Sequence, residues 1–133
     1  MAEDNVEILR SLYEVWGPHQ VEAAIRFFDP DCEMHSEVAG PGGSPLRGHE
    51  GVKTYWMSRA PDSDFEVSAT EFIDLADGRV LVPEAARFQS RSSKRDYVKL
   101  WPVTLWTLRN GKVVRWEAWP TRAKAAKALG LPE

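Results

Sequence analysis

His35, Glu84, Arg87 and Tyr97 are the residues of this chain whose types and places could move protons or hold a polar ligand group. Histidine titrates near neutral pH without perturbation, so His35, on the segment after the second helix, could act as a base. The plainer account is a rim histidine bonded to backbone or water. Glu84 and Arg87 interrupt the apolar strand Val80–Phe88. They would make a buried pair for a polar ligand group, or else lie on a solvated or dimer-facing side. Pro83 beside them points to an edge or a bulge, since proline cannot donate to the ladder. With His35 or Glu84 as base, Tyr97 or Arg87 would be the donor.

Other chemistries lack their residues. His19, His35 and His49 fall in three separate elements with no second ligand at helical spacing, and the lone Cys32 adds no thiolate pair, so no metal is expected. Gly40-Pro41-Gly42-Gly43 lacks the lysine and helix start of a phosphate loop and reads as a flap, so no nucleotide or other cofactor is expected. Seventeen basic residues against twenty acidic ones give a net charge of -3, with no footprint for nucleic acid or an anionic membrane. The one small basic run, Arg91-Ser92-Ser93-Lys94-Arg95, reads as a solvated hairpin loop. One cysteine allows no intrachain disulfide. No leader pattern opens the chain and no apolar run reaches bilayer length, so the expectation is a cytoplasmic protein.

These residues must be positioned by an α+β arrangement. The 133 residues suffice for one domain, taken as 1–133. Asp4 and Glu7 resemble an N-capping arrangement, and Val6, Leu9, Leu12, Tyr13 and Trp16 recur at helical spacing until Gly17-Pro18. Val21, Ala24, Ile25 and Phe28 give a second, short helix that stops at Asp29-Pro30. Cys32–Val38 reads as a strand, Ala39–Gly48 as a loop, and Val52, Tyr55 and Trp56 as a third helix ending before Pro61. From Phe65 the period becomes two: Phe65, Val67, Ala69, Ile73 and Leu75 alternate with Glu66, Ser68, Thr70 and Asp74. That reading leaves Phe72 on the polar face and Glu71 on the apolar one. Asp77-Gly78 turns the chain into Arg79–Gln89, and Tyr97–Leu108 and Lys112–Trp119 complete a four-stranded meander. Asn110-Gly111 closes the last hairpin, because a type I′ turn needs positive φ at both central residues. Thr121–Leu129 makes a closing helix with Gly130 beyond its end. Such an order closes economically when the sheet bends and the helices cover its concave side, forming a cone.

On parity, Trp106 and Trp116 point inward on adjacent strands. With Trp16, Phe28, Met34 and Trp56 they either line a cavity for a flat hydrophobic ligand or fill the cone as core. Val103, Leu105 and Trp119 take the convex face, where bare apolar area suggests a homodimer.

The chain resembles the SnoaL-like group of the NTF2-like superfamily. The resemblance is carried by Leu12-Tyr13-Glu14-Val15-Trp16, the run from Phe27 to His35, Arg47-Gly48-His49-Glu50-Gly51-Val52, Phe65-Glu66-Val67, and the run from Leu105 to Val114. It implies the conical fold over nearly the whole chain, and a pocket used for isomerisation, cyclisation, epoxide hydrolysis or binding without chemistry. It also implies where family site residues fall. The base of a steroid isomerase falls at Ser36, its tyrosine at Leu12 with Tyr13 beside it, and its donor aspartate at Thr104. None of the three matches. The acid or base of a cyclase falls at Ala118, which has no proton to move, while the neighbouring Glu117 points to the opposite face unless a bulge intervenes. The arginine between two aspartates of an epoxide hydrolase is missing. His35, Ser36, Glu37, Glu84, Arg87, Thr104 and Tyr97 remain as candidate pocket chemistry, with Ala118 in the lining. The expectation is a protein that binds a small hydrophobic molecule, acting on it as an isomerase, lyase or hydrolase, or serving as a noncatalytic binding module.

Overall fold

The computed structural model describes residues 2–16, 20–36, 46–57, 63–90 and 98–130. Glu37, Tyr97, the Gly40–Gly43 flap and the Arg91–Arg95 run lie outside the described residues, as do the side chains of Ser36 and Trp56. Among the described residues, four helices and eight strands follow in order: α1 Ala2–Tyr13, α2 Val21–Ile25, β1 Phe28–Ser36, β2 Leu46–Arg47, α3 Gly48–Met57, β3 Ser63–Ala69, β4 Ile73–Asp74, β5 Arg79–Ser90, β6 Val98–Leu100, β7 Val103–Arg109, β8 Lys112–Trp119 and α4 Arg122–Leu129. The strands join one curved sheet in the order β2-β1-β8-β7-β5-β3, with β4 and β6 also paired to β5.

The last hairpin forms as its turn residues dictate. Asn110 and Gly111 both hold positive φ, 52° and 79°, and Arg109 faces Lys112 across the turn. The turn at Asp77-Gly78 is one residue longer, with Ala76, Asp77 and Gly78 all at positive φ between Leu75 and Arg79. Gly78 is required there by close approach, since a Cβ on it would sit 2.6 Å from the carbonyl oxygen of Leu108.

Several boundaries differ from expectation, and Leu46–Arg47 is a short strand within the run Ala39–Gly48 expected as a loop. α1 begins at Ala2, so Asp4 lies inside the helix and not at its cap. α2 ends at Ile25 and the strand starts at Phe28, not Cys32. Pro30 pushes Asp29 into extended backbone, which suits a strand as well as a helix stop, and a register shift between Phe28 and Glu33 absorbs the missing donor. The run Phe65–Leu75 is not one strand. It breaks at Thr70–Phe72, and the break frees Phe72 from the polar face to set its ring 5.8 Å from that of Tyr13. Likewise Tyr97–Leu108 splits at Trp101-Pro102 into β6 and β7. Pro83 marks where β5 changes partners, from β7 and β4 on one side to β3 and β6 on the other.

The sheet is also larger than a four-stranded meander, because β1 pairs in parallel with β8: Met34 faces Trp116 and Ser36 faces Ala118. Its inner face, covered by α1, α2 and α3, holds one buried cluster that includes Leu9, Leu12, Val52, Val80, Val82 and Val113. On the outer face Val103, Leu105 and Trp119 are buried, as parity requires, but what buries them is Ala125 of α4. Thr121 caps that helix by accepting from Lys124 N, and Gly130 ends it at φ 69°. The strip that suggested a homodimer is thus already covered by the chain's own last helix.

Candidate functional site

Helical spacing on α1 puts Leu9, Leu12, Tyr13 and Trp16 against the sheet. Tyr13, the last residue of α1, reaches down to β5, where its hydroxyl donates to Glu84 Oε2. Trp106 on β7 donates from Nε1 to the same tyrosine oxygen at 3.0 Å. Strand alternation brings these groups together: Val82 faces Thr104 and Val80 faces Trp106, so Glu84 is the next inward residue along β5. The result is an interior chain from indole N–H to phenol to carboxyl, with Glu84 only 6% exposed.

Burial pushes the Glu84 carboxyl up to about 7, against the opposing pull of the Tyr13 and Thr104 hydroxyls. Burial, then the Glu84 charge, pushes the Tyr13 phenol well above its ordinary value. Thr104 Oγ1 lies close enough to act on both groups yet outside hydrogen-bond geometry, and with Trp116 Nε1 it is a buried polar atom without a hydrogen-bond partner among the described residues. A carboxyl held near 7 exchanges protons readily at neutral pH. A phenol kept neutral beside it can donate to that carboxyl or to an oxygen on which charge develops.

The expected aromatic wall assembles around this chain. Trp106 is fully buried, its ring centroid 5.4 Å from Trp16 and 6.2 Å from Trp116. Trp16 stacks on Phe28 at 5.6 Å, and Tyr55 from α3 meets Trp116 edge-on at 5.0 Å. Met34 and Ala118 complete the same buried cluster. Among the described residues these rings pack chiefly on one another.

Two expected site residues lie elsewhere. Met34 faces inward, so alternation sends His35 to the outer face, opposite Glu117. There His35 Nε2 lies 2.9 Å from Glu33 Oε1, Arg47 and Arg115 flank Glu33 at 3.6 and 3.8 Å, and Arg115 reaches Glu117 at 3.3 Å. The His35 hydrogen bond and then the Arg47 charge lower the Glu33 pKa. Arg87, three residues along β5 from Glu84, takes the opposite face and pairs with Glu66 at 2.8 Å. The buried Glu84–Arg87 pair does not form; Tyr13 occupies that role. Tyr13 was legible as core, not as a donor, although a buried tyrosine ordinarily needs a partner for its hydroxyl. Among the described residues no three His, Cys, Asp or Glu side chains gather as a metal site.

Comparison with known proteins places this geometry. TerC, co-crystallised with polyporic acid, is 21% identical with a TM-score of 0.75 over 96% of this chain and 98% of its own. An NTF2-like protein of unknown function from Burkholderia pseudomallei is 20% identical, TM-score 0.75, over 93% and 95%. SalBIII, an epoxide hydrolase/cyclase-like enzyme with a role in pyran ring formation in salinomycin, is 18% identical, TM-score 0.76, over 92% and 96%. At such identities the likeness is one of fold. No curated protein sequence matches the chain significantly. A SnoaL-like domain matches residues 9–116, and the chain belongs to that family.

Proposed function

We propose that this protein binds a small hydrophobic molecule within its aromatic cone and exchanges a proton with it through Glu84, with Tyr13 as the hydrogen-bond donor. The observation that carries the reading is a buried carboxyl, raised to about 7 and bonded to a buried phenol, inside a wall of indole and phenyl rings. As carboxylate, Glu84 would take a proton from the substrate and return it at another atom or to water. Tyr13 would turn its hydroxyl hydrogen toward the oxygen that gains charge. The Trp106 N–H holds the other side of the phenol oxygen, and so keeps that hydrogen aimed. Isomerase and lyase chemistry begin with such a transfer from the substrate, and in hydrolase chemistry the same carboxylate would take the proton from the attacking water. His35, on the outer face, has no part in it.

TerC with polyporic acid and SalBIII as an epoxide hydrolase/cyclase-like enzyme lend support from the same fold. The mutual packing of Trp16, Trp106 and Trp116 favours a second reading, a binding module without chemistry. One set of variants separates the two. Hydrophobic compounds are screened by thermal shift, because a ligand specific to the native state raises the melting temperature by mass action. The hits are then assayed with Glu84→Gln and Tyr13→Phe. Turnover lost in Glu84→Gln with binding kept supports proton exchange. Binding equal in both proteins with no turnover supports the module, and turnover that survives Glu84→Gln refutes the proposed base.

A further inference from the structure

A recess lies outside the cone, between α1, the end of α2 and the β7–β8 turn. It has a volume of about 450 Å³, within the size range of small-molecule sites. Ile8 and Val15, about one turn either side of Leu12, flank the face that Leu9 and Leu12 bury in the cone, and they are themselves only partly buried. Phe27 forms the third apolar wall, and its backbone is satisfied, since its N donates to Ala24 O and its O accepts from Val113 N. The Phe27 wall therefore presents apolar side chain and no waiting backbone donor. Gly111 keeps the turn side open: the missing Cβ would stand 3.9 Å from Ile8 Cδ1.

At the rim, among the described residues, are two cations, Arg26 and Lys112, and no carboxylate. Lys112 Nζ donates to Arg26 O at 2.6 Å, which fixes the ammonium at the mouth with further N–H groups to spare. Arg26 is exposed and makes no ion pair among the described residues. In a chain of net charge -3, an apolar recess edged by an Arg and a Lys without an acidic residue selects one ligand chemistry: an apolar tail ending in an anion. Two cations are too few for a nucleic-acid backbone track. We propose that this recess is a binding site, distinct from the cone, for a medium-chain carboxylate, the tail lying on Ile8, Val15 and Phe27 and the head group held by Arg26 and Lys112.

The test is calorimetric titration of the whole chain with decanoate and with decanol, on wild type, Arg26→Glu and Ala23→Trp. Ala23 also lines the recess, and both substituted residues are exposed, so each variant is expected to melt near wild type. Decanoate should bind one to one, weaken by about tenfold or more in Arg26→Glu as a charge-assisted bond is replaced by repulsion, and be lost in Ala23→Trp, where an indole fills the space. Decanol should bind more weakly than decanoate. Absence of decanoate binding to wild type, binding indifferent to either substitution, or equal affinity for decanol overturns the proposal. Indifference to Ala23→Trp in particular would place the ligand in the cone.

Discussion

Glu84→Gln should stabilise this protein at mildly alkaline pH and leave it unchanged in acid. The Glu84 carboxyl titrates near 4.5 when unfolded and is pushed up to about 7 by burial when folded. A raised acid contributes its full stability below the unfolded value, loses it as pH rises from about 4.5 to about 7, and adds no further slope above. The gap between 4.5 and about 7, at roughly 1.36 kcal/mol per unit, makes the loss about 3 kcal/mol. Glutamine is neutral throughout and has nearly the same shape. Its Oε1 can accept from Tyr13, and its amide N–H faces the region of Thr104 Oγ1, a buried oxygen still without a hydrogen-bond partner. At about pH 8 the variant should therefore exceed wild type by up to about 3 kcal/mol, or roughly 10 °C in melting temperature for a chain of this size. At about pH 4 the two should coincide. The assay is denaturant unfolding of both proteins across this range. Glu33, whose pKa is lowered, loses its stabilising effect as pH falls, but it is common to both proteins and cancels in the difference. Parallel pH profiles, or a variant weaker than wild type at the alkaline end, would refute the reasoning.

Tyr13→Phe removes a group that lowers the Glu84 pKa, so the carboxyl should titrate higher still in a carbon-detected NMR titration. It also leaves Trp106 Nε1 buried without an acceptor, at a cost of about 1–3 kcal/mol; an unmoved titration would dissolve the proposed dyad. Thr104→Val keeps the shape and deletes a hydroxyl that has no hydrogen-bond partner, so stability in acid should stay near wild type while the Glu84 titration again moves up. A large loss of stability in acid would mean that this hydroxyl holds more than the geometry indicates. Ala125→Asp sets a charge under Val103, Leu105 and Trp119 and should cost about 2 kcal/mol or more. The uncovered strip should then bind a hydrophobic dye or drive self-association on size exclusion. A variant as stable and as dye-silent as wild type would show that α4 does not guard that face.

What was legible in the sequence was whatever local geometry determines. Asn110-Gly111 fixed its turn and so paired Arg109 with Lys112, but a register shift between Thr107 and Leu108 then moves the pairing by one residue, and only beyond it do Trp106 and Trp116 share one face, with Glu117 and Trp119 on the other. The same alternation bears on His35: Met34 and His35 are neighbours on β1, so only one of them can look inward. Distant pairings were not legible. The parallel contact of β1 with β8 leaves no local mark, since neither strand carries a pattern that names its partner. For the same reason Tyr13 reads as one more apolar position on α1; its partner Glu84 lies 71 residues away. Pro83 was visible as a ladder breaker, whereas the strand Tyr97–Leu108 was read straight through Pro102, and which strands trade places at Pro83 depends on the whole sheet.

The energetic cost of Glu84 is itself an argument about what the cone is for. Domains of this kind hold only about 5–15 kcal/mol of net stability, so a carboxylate that forfeits about 3 kcal/mol at neutral pH is a substantial burden. A leucine at the same place would extend the apolar row of Val80 and Val82 and remove that burden. A sheet that had only to stand would be better without the acid. The burden also falls at the one described place where phenol, indole N–H and carboxyl converge behind aromatic walls. On the outer face, Glu33, His35, Arg115 and Glu117 form a network with more charges, yet each is partly solvated and the pairs hold little. Charge number is therefore a poor guide to the site in this fold. A destabilising acid in a geometry ready to pass a proton is the better one, and it singles out Glu84 and Tyr13 over His35.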